Sequence, residues 1–347
     1  MNRPSNPPFA VLRLGPSSIR MEPRSVLASV ILASIIGAVL LVALGSGRYE
    51  IAWTRVIEVL FGDGTRAERY AVLDLRLPRA LLAILAGAGL AVSGALFQSL
   101  TRNPLGSPDV IGFANGAYAG VVTSILVFGG GRSTVQAGAV IGGIATAIVV
   151  YLLAYRRGMH GFRLIIVGIA VSMILSAGTT WLMLRARVDT AMSAAVWGTG
   201  SLNGATRGDL AQVSVSLVIL LPLVAVAARS LRALSLGDDN AASLGVRVRL
   251  ATLAITVIGV TLSASMVAVT GLIMFIALAA PQLARRAAGT SEIPMVTTAL
   301  MGAALLSGSD WIAQHGLGER VLPVGVVTVC IGGAYLVWLL IRESSRS

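Results

Sequence analysis

Long apolar runs govern what this sequence can fold into. A helix that crosses a bilayer needs about 20 mostly apolar residues, and such runs recur: Val26 to Leu44, Ala80 to Leu100, Val110 to Phe128, Val135 to Ala154, Phe162 to Leu184 and Leu210 to Ala228. The second half adds Leu250 to Ala284, Met295 to Ala313 and Leu322 to Ile341. Leu250 to Ala284 is long enough for two short spans turning near Gly271, or for one long helix with an interfacial piece. Two spans bring the total to ten. The chain is 56% hydrophobic and 12% charged, whereas a soluble domain is about 25% charged. The sequence therefore predicts an all-α, polytopic membrane protein and excludes a single soluble core, a disulfide scaffold and a disordered chain.

Orientation follows from the basic residues of the loops. All 27 basic residues are arginine. With the N-terminus inside, sixteen arginines and six of the fifteen acidic residues lie on the cytoplasmic side, a net of +10 there and +2 outside. An even number of spans also keeps Arg342 and Arg346 inside. Both termini are thus expected in the cytoplasm, with residues 1–25 a loose Pro- and Arg-bearing tail, residues 26–341 the membrane domain and residues 342–347 a second tail. A signal peptide competes for the first apolar run, but its core is about 7 to 15 residues long. Val26 to Leu44 is longer, which favours an uncleaved span.

Several chemistries are disfavoured outright. A P-loop needs a lysine on the phosphates, so ATP-driven work requires a partner. The lone Cys330 and the two histidines, His160 and His315, supply no N/S ligand cluster; no cofactor and no metal site are expected. The net charge of +12 lies in loops and not on the water-facing stripe of a nucleic-acid binder. Paired carboxylates and activated nucleophiles are missing from the spans, so no enzymatic activity is expected. An ion-coupled transporter or channel needs ionisable groups within its spans, and Asp310 is the one acid close to a membrane interior.

Four segments hold more than apolarity requires. Leu75 to Arg79 (LRLPR) leads into Ala80 to Gln98, where Pro78 suits a helix start and Gly87, Gly89 and Gly94 permit close helix approach. Thr101 to Gly112 (TRNPLGSPDVIG) follows, with Asn103, Pro104, Pro108 and Asp109 forming a turn. In the longest cytoplasmic connection, Ala228 to Leu250, leucines and alanines alternate with charges. Asp238 or Asp239 is placed to cap a short helix, and Gly237 and Gly245 punctuate two helical pieces. This connection suits either an interfacial amphipathic helix or a docking knob for a cytosolic partner. In Gly271 to Gly289, Pro281 predicts a broken helix anchored by Arg285 and Arg286. Leu322 to Arg342 has Pro323 in its first turn and Gly332 and Gly333 for close packing.

In this order, the four segments resemble the FecCD family of ABC-transporter permeases for iron-siderophore chelates, vitamin B12 and haem. The resemblance is carried by Arg76 to Arg79, then Gln98, Asn103, Pro104, Leu105, Pro108 and Gly112, with Asn115-Gly116-Ala117 behind them. Leu236-Gly237 through Ser243-Leu244-Gly245-Val246 is similar to the family's coupling-helix motif, and the remaining segments to its G-x-I-x-F…P-x-x-x-R and LP-x-G-x-x-T blocks. Gln282 stands where many members have His, and Gly333-Ala334-Tyr335 replaces a usual G-x-P. Ferric-siderophore permeases of the enterobactin type look nearest.

The resemblance spans about Arg76 to Arg342 and implies ten spans in the bacterial plasma membrane. It implies a second permease subunit, two cytosolic ATP-binding subunits, an external substrate-binding protein and passage of an intact iron-siderophore chelate. Vitamin B12 and haem are the alternatives within the family. It assigns Arg76 and Arg79, with Arg320 as a third contact, to binding-protein docking; helix-end anchoring is the competing role. Coupling to the ATPase falls to residues 229–249, and within them to Leu236, Gly237, Asp238, Ala241, Ala242, Leu244 and Gly245. The pathway or inner gate falls to Gln98, Asn103, Pro104, Tyr155 and His160.

Overall fold

The computed structural model describes residues 10–14, 17–47, 49–109, 111–154, 161–316 and 321–344. Helices dominate. The exception is an antiparallel pair, β1 (Ala10–Leu14) and β2 (Ser17–Met21), in register Ala10↔Met21, within the segment expected to be a loose tail. Backbone pairing of two five-residue strands there needs no long apolar pattern, which is why the apolar reading missed it.

The membrane domain begins with α1 (Pro23–Gly45) and the short α2 (Trp53–Leu60). Next, α3 (Arg66–Arg69), a π-helical turn (Tyr70–Arg76) and α4 (Leu77–Thr101) form one continuous helix. Pro78 lies in the first turn of α4, as its residue type suggests, although the preceding turns run on into it. It lacks an N–H, and the turn before it relaxes to π geometry, with Leu77 N–H bonding Val72 C=O.

Then come α5 (Phe113–Phe128), α6 (Arg132–Ala154), α7 (Gly161–Arg185) and α8 (Val188–Gly198). The second half holds α9 (Arg207–Ser235), α10 (Asp238–Ser243), α11 (Val248–Thr270), α12 (Ile276–Ala288), α13 (Met295–His315) and α14 (Val324–Ser344). Among the described residues, six helices are long and apolar enough to cross a membrane: α1, the Arg66–Thr101 helix, α6, Arg163–Arg185 of α7, α9 and α11. Phe113–Phe128 and Val324–Tyr335 are shorter apolar helices.

The long ambiguous run divides at Gly271, as one of its two readings had it, but unevenly: α11 has 23 residues and α12 has 13. Pro281 lies inside the unbroken α12, contrary to the expectation that it breaks the helix. The break falls instead on Gly271–Phe275, where Gly271 and Phe275 both have φ +71. Residues 229–235 of the expected coupling loop continue α9, because Leu231, Ala233 and Leu234 prolong its buried face.

At the centre stands α4, packed against α9, α11, α12 and α13. Lipid is as apolar as a leucine, so close backbone approach and not hydrophobicity drives such packing. A Cβ on Gly87 would lie 2.3 Å from the carbonyl oxygen of Gly302 on α13, and one on Gly94 would lie 1.8 Å from that of Ala277 on α12. Ala277 is also the carbonyl that Pro281, four residues on, cannot serve. By contrast α1 is largely exposed along its length.

Candidate functional site

Three places on this frame gather the singled-out residues, and the first is the break between α11 and α12. The Phe275 backbone N–H faces the carboxylate of Asp109, a buried side chain whose Oδ2 has no hydrogen-bond partner. The Phe275 ring lies where a Cβ on Gly332 of α14 would sit, 2.3 Å from it. Gly325 of α14 abuts the carbonyls of Thr199 and Leu272, and its N–H bonds Gly200 C=O at 3.1 Å. Segments distant in sequence thus converge on Gly271–Phe275: the loop after α4, the loop after α8, and α14. Asp109 and Phe275 were missed as functional positions. An acidic residue in the otherwise uncharged stretch Asn103 to Gly112 was the available signal.

The second place is the end of α4 that carries Arg102. Arg102 adopts a left-handed conformation, φ 51, and its Nε and Nη2 donate to Leu234 C=O, which lies in the last turn of α9, at 3.0 and 2.7 Å. Its Nη2 also pairs with the Asp238 carboxylate at the start of α10. The helix α10 is a single turn-and-a-half unit and not the two pieces expected. Its N-cap is Gly237, φ 113, and not an aspartate; Asp238 and Asp239 occupy the first turn, where their charge suits the helix dipole.

The far end of α10 closes as a Schellman motif. Val246 N–H bonds Ala241 C=O at 3.0 Å, Gly245 N–H bonds Ala242 C=O at 2.9 Å, and Gly245 takes φ 80. Ala241 is buried against the frame and Ala242 is exposed, while Leu236 and Leu244 stand 63% and 65% exposed. The result is a rigid knob presenting two leucines.

Of the pathway residues, Gln98 is buried and tied to α12. Its Nε2 donates to Leu278 C=O at 2.9 Å, and its Oε1 accepts from Gln282 Nε2. Gln282 Oε1 in turn accepts from Arg285 at 2.9 Å. The Gln282 amide both donates and accepts, so it joins Gln98 to Arg285 in one chain of bonds. Asn103 Oδ1 takes the Leu105 N–H at 2.9 Å, an Asx turn that sets the chain after α4, and Pro104 is exposed within it. Tyr155 and His160 lie outside the described residues.

The third place is the opposite end of α4. Arg76 donates to Leu44 C=O at 2.7 Å, Gly45 C=O at 3.2 Å and Tyr49 C=O at 2.5 Å, serving the carbonyls at the end of α1. Arg79 forms a bidentate ion pair with Asp310 of α13, 3.0 Å from Nε and 2.8 Å from Nη2, and Nη1 donates to Asn203. Gln314 donates to the second carboxylate oxygen of Asp310 at 2.8 Å. Asp310 is thereby a paired charge, 3% exposed, and not a free intramembrane acid. Both arginines have internal partners, as helix-end anchors do. Arg320 lies outside the described residues.

Comparison with known proteins returns the same frame. The chain is 45% identical over 303 residues to the ferric enterobactin transport system permease protein FepG of Escherichia coli K12, covering 87% of this chain and 92% of that one. It is 33% identical over 337 residues to the hemin transport system permease protein HmuU of Yersinia pestis, covering 94% and 98%. A solved structure of a metal-chelate type ABC transporter in an inward-facing conformation superposes with a TM-score of 0.79 at 26% identity, over 90% of this chain and 98% of that chain. The profile of the FecCD transport family matches residues 31–342, nearly everything from the first span to the last. Sequence, helical frame and motif placement agree, and the chain belongs to the FecCD transport family.

Proposed function

We propose that this chain is the membrane-spanning permease subunit of an ABC importer, moving an intact iron-siderophore chelate inward by alternating access. The observation that carries the proposal is the near full-length, 45% match to a ferric enterobactin permease. ATP is hydrolysed in cytosolic partner subunits, two per transporter. A second permease subunit completes the pathway, and an external binding protein delivers the substrate. The chain makes ten crossings of a bacterial plasma membrane with both termini inside, α5, α12, α13 and α14 supplying the four beyond the six long apolar helices. Both positional arguments, the arginine bias and the even span count, support that orientation.

In this reading α10 is the coupling helix. Leu236 and Leu244 are its contact to the ATPase, Ala241 its seat on the permease, and Gly237 and Gly245 its fixed ends. Gln98, Asn103 and Pro104 order the inner end of α4 beside the pathway, with Tyr155 and His160 at the inner gate. Arg76, Arg79 and Arg320 belong to the face that meets the binding protein. Arg76 and Arg79 shape that landing surface while tied to neighbouring elements, Arg76 to the end of α1 and Arg79 to Asp310 of α13.

The test is uptake into vesicles carrying the permease, its ATPase and the loaded binding protein. ATP-dependent uptake of a ferric siderophore is expected. Uptake driven by an ion gradient without the ATPase would refute the importer reading, and preferential uptake of haem or cobalamin would refute the substrate class.

A further inference from the structure

The short helix α2 carries three distinct faces. Val56 and Val59 are fully buried and join Leu44, Ile51 and Val72 in a small core of their own. Thr54, Arg55 and Glu58 form the polar side, and Arg55 pairs with Glu58 and with Glu68. The third side is apolar and uncovered: Trp53 is 67% exposed, Phe61, just past the helix end, 88%, and Ile57 and Leu60 stand out with them. Positions 53, 57, 60 and 61 follow the i, i+4, i+7, i+8 spacing of one helix face, so this is a continuous stripe and not scattered exposure.

We propose that α2 is an interfacial anchor lying flat in the headgroup region of the bilayer, with the face of Trp53, Ile57, Leu60 and Phe61 in lipid. A helix with one side on protein, one toward water and one apolar and open fits a membrane surface. The occupant is lipid because the stripe adjoins a lipid face. It follows the end of α1, whose Leu41 and Val42 are exposed there, and Arg76 fixes that junction through Leu44, Gly45 and Tyr49. Trp and Tyr concentrate at membrane interfaces, and Tyr49, four residues before Trp53 in the chain, is exposed as well. The stripe carries no charge, unlike the arginine surface that the family resemblance assigns to the binding protein. The inference requires only that α1 cross a bilayer, so it can stand or fall apart from the transport reading.

The lone cysteine makes the test direct. In a Cys330→Ala background, single substitutions Thr54→Cys, Ile57→Cys, Glu58→Cys and Phe61→Cys are spin-labelled in the full chain in phospholipid nanodiscs. Collision rates with oxygen and with a water-soluble nickel chelate are then compared. Labels at 57 and 61 are expected to favour oxygen several-fold over those at 54 and 58. Equal nickel access at all four positions would overturn the proposal. An unlabelled check guards against perturbation: Trp53→Phe should remove part of the tryptophan emission quenched by brominated lipid. An unchanged quenchable fraction would equally overturn it.

Discussion

The Arg79 guanidinium meets the Asp310 carboxylate through two nitrogens in a site nearly closed to solvent. Removing one member leaves the other charge uncompensated, a loss of about 3–5 kcal/mol for a buried pair. Arg79→Ala and Asp310→Ala are each expected to lower the thermal midpoint of the purified chain sharply, whereas Arg79→Leu with Asp310→Leu recovers most of the loss. A double variant no better than either single would refute the pairing as the cause. Loss of docking after charge reversal at Arg79 alone would therefore report a damaged helix pair before it reported a lost contact. At Gly94 the constraint is steric: an added methyl meets the Ala277 carbonyl at 1.8 Å, and overpacking of this kind costs about 1–3 kcal/mol. Gly94→Ala should lower the midpoint, while Gly37→Ala, with nothing within 4 Å, should leave it unchanged or raise it. The glycines of α4 were legible because small residues in an apolar run have one principal use. Arg79's partner was not, since 231 residues separate the two and nothing in the sequence links an end-of-helix arginine to an acid read as close to a membrane interior.

Helix by helix, legibility tracked apolar length. α1, α4, α6, α7 and α9 have runs that fill a bilayer and stand where those runs predict them. The Gly271 turn was legible as one alternative, while the position of Pro281 misled because a proline's effect depends on whether the freed carbonyl finds a neighbour. The Ala277 carbonyl has the Gly94 backbone against it. Coupling belongs to this scale as well. Arg102 joins the end of α4 to Leu234 at the end of α9 and to Asp238 on α10. Under the coupling role proposed for α10, Arg102 is the side chain that links α10 directly to the central helix. Arg102→Ala should leave the chain inserted and the partner's basal ATPase intact, but reduce binding-protein-stimulated hydrolysis and uptake several-fold. Arg102→Lys, which keeps the charge without the planar fork, should fall between. Full stimulation in Arg102→Ala would remove Arg102 from the path between knob and core.

At the scale of the whole molecule, one break in the helical frame brings distant segments together. The helices α11 and α12 could have been a single rod; they are separated by Gly271–Phe275, which touches the loop after α4, the loop after α8, and α14. A non-glycine residue at φ +71 is unfavourable unless its surroundings hold it. The Phe275 ring lies against Gly332, and the Asp109 carboxylate sits beside the Phe275 N–H. An access change that re-aims α12 relative to α11 has to act through this junction, where neither helix needs to bend. Asp109→Asn retains an oxygen for the Phe275 N–H and should keep uptake near that of the unaltered chain. Asp109→Leu takes the carboxylate away from the Phe275 N–H, a loss of about 1–3 kcal/mol, confined to the junction. Uptake in reconstituted vesicles should then fall while the chain still inserts and binds its ATPase. Equal uptake by the Asn and Leu variants would show that the carboxylate is not what holds the break, and would shift that role to the packing of Phe275 on Gly332.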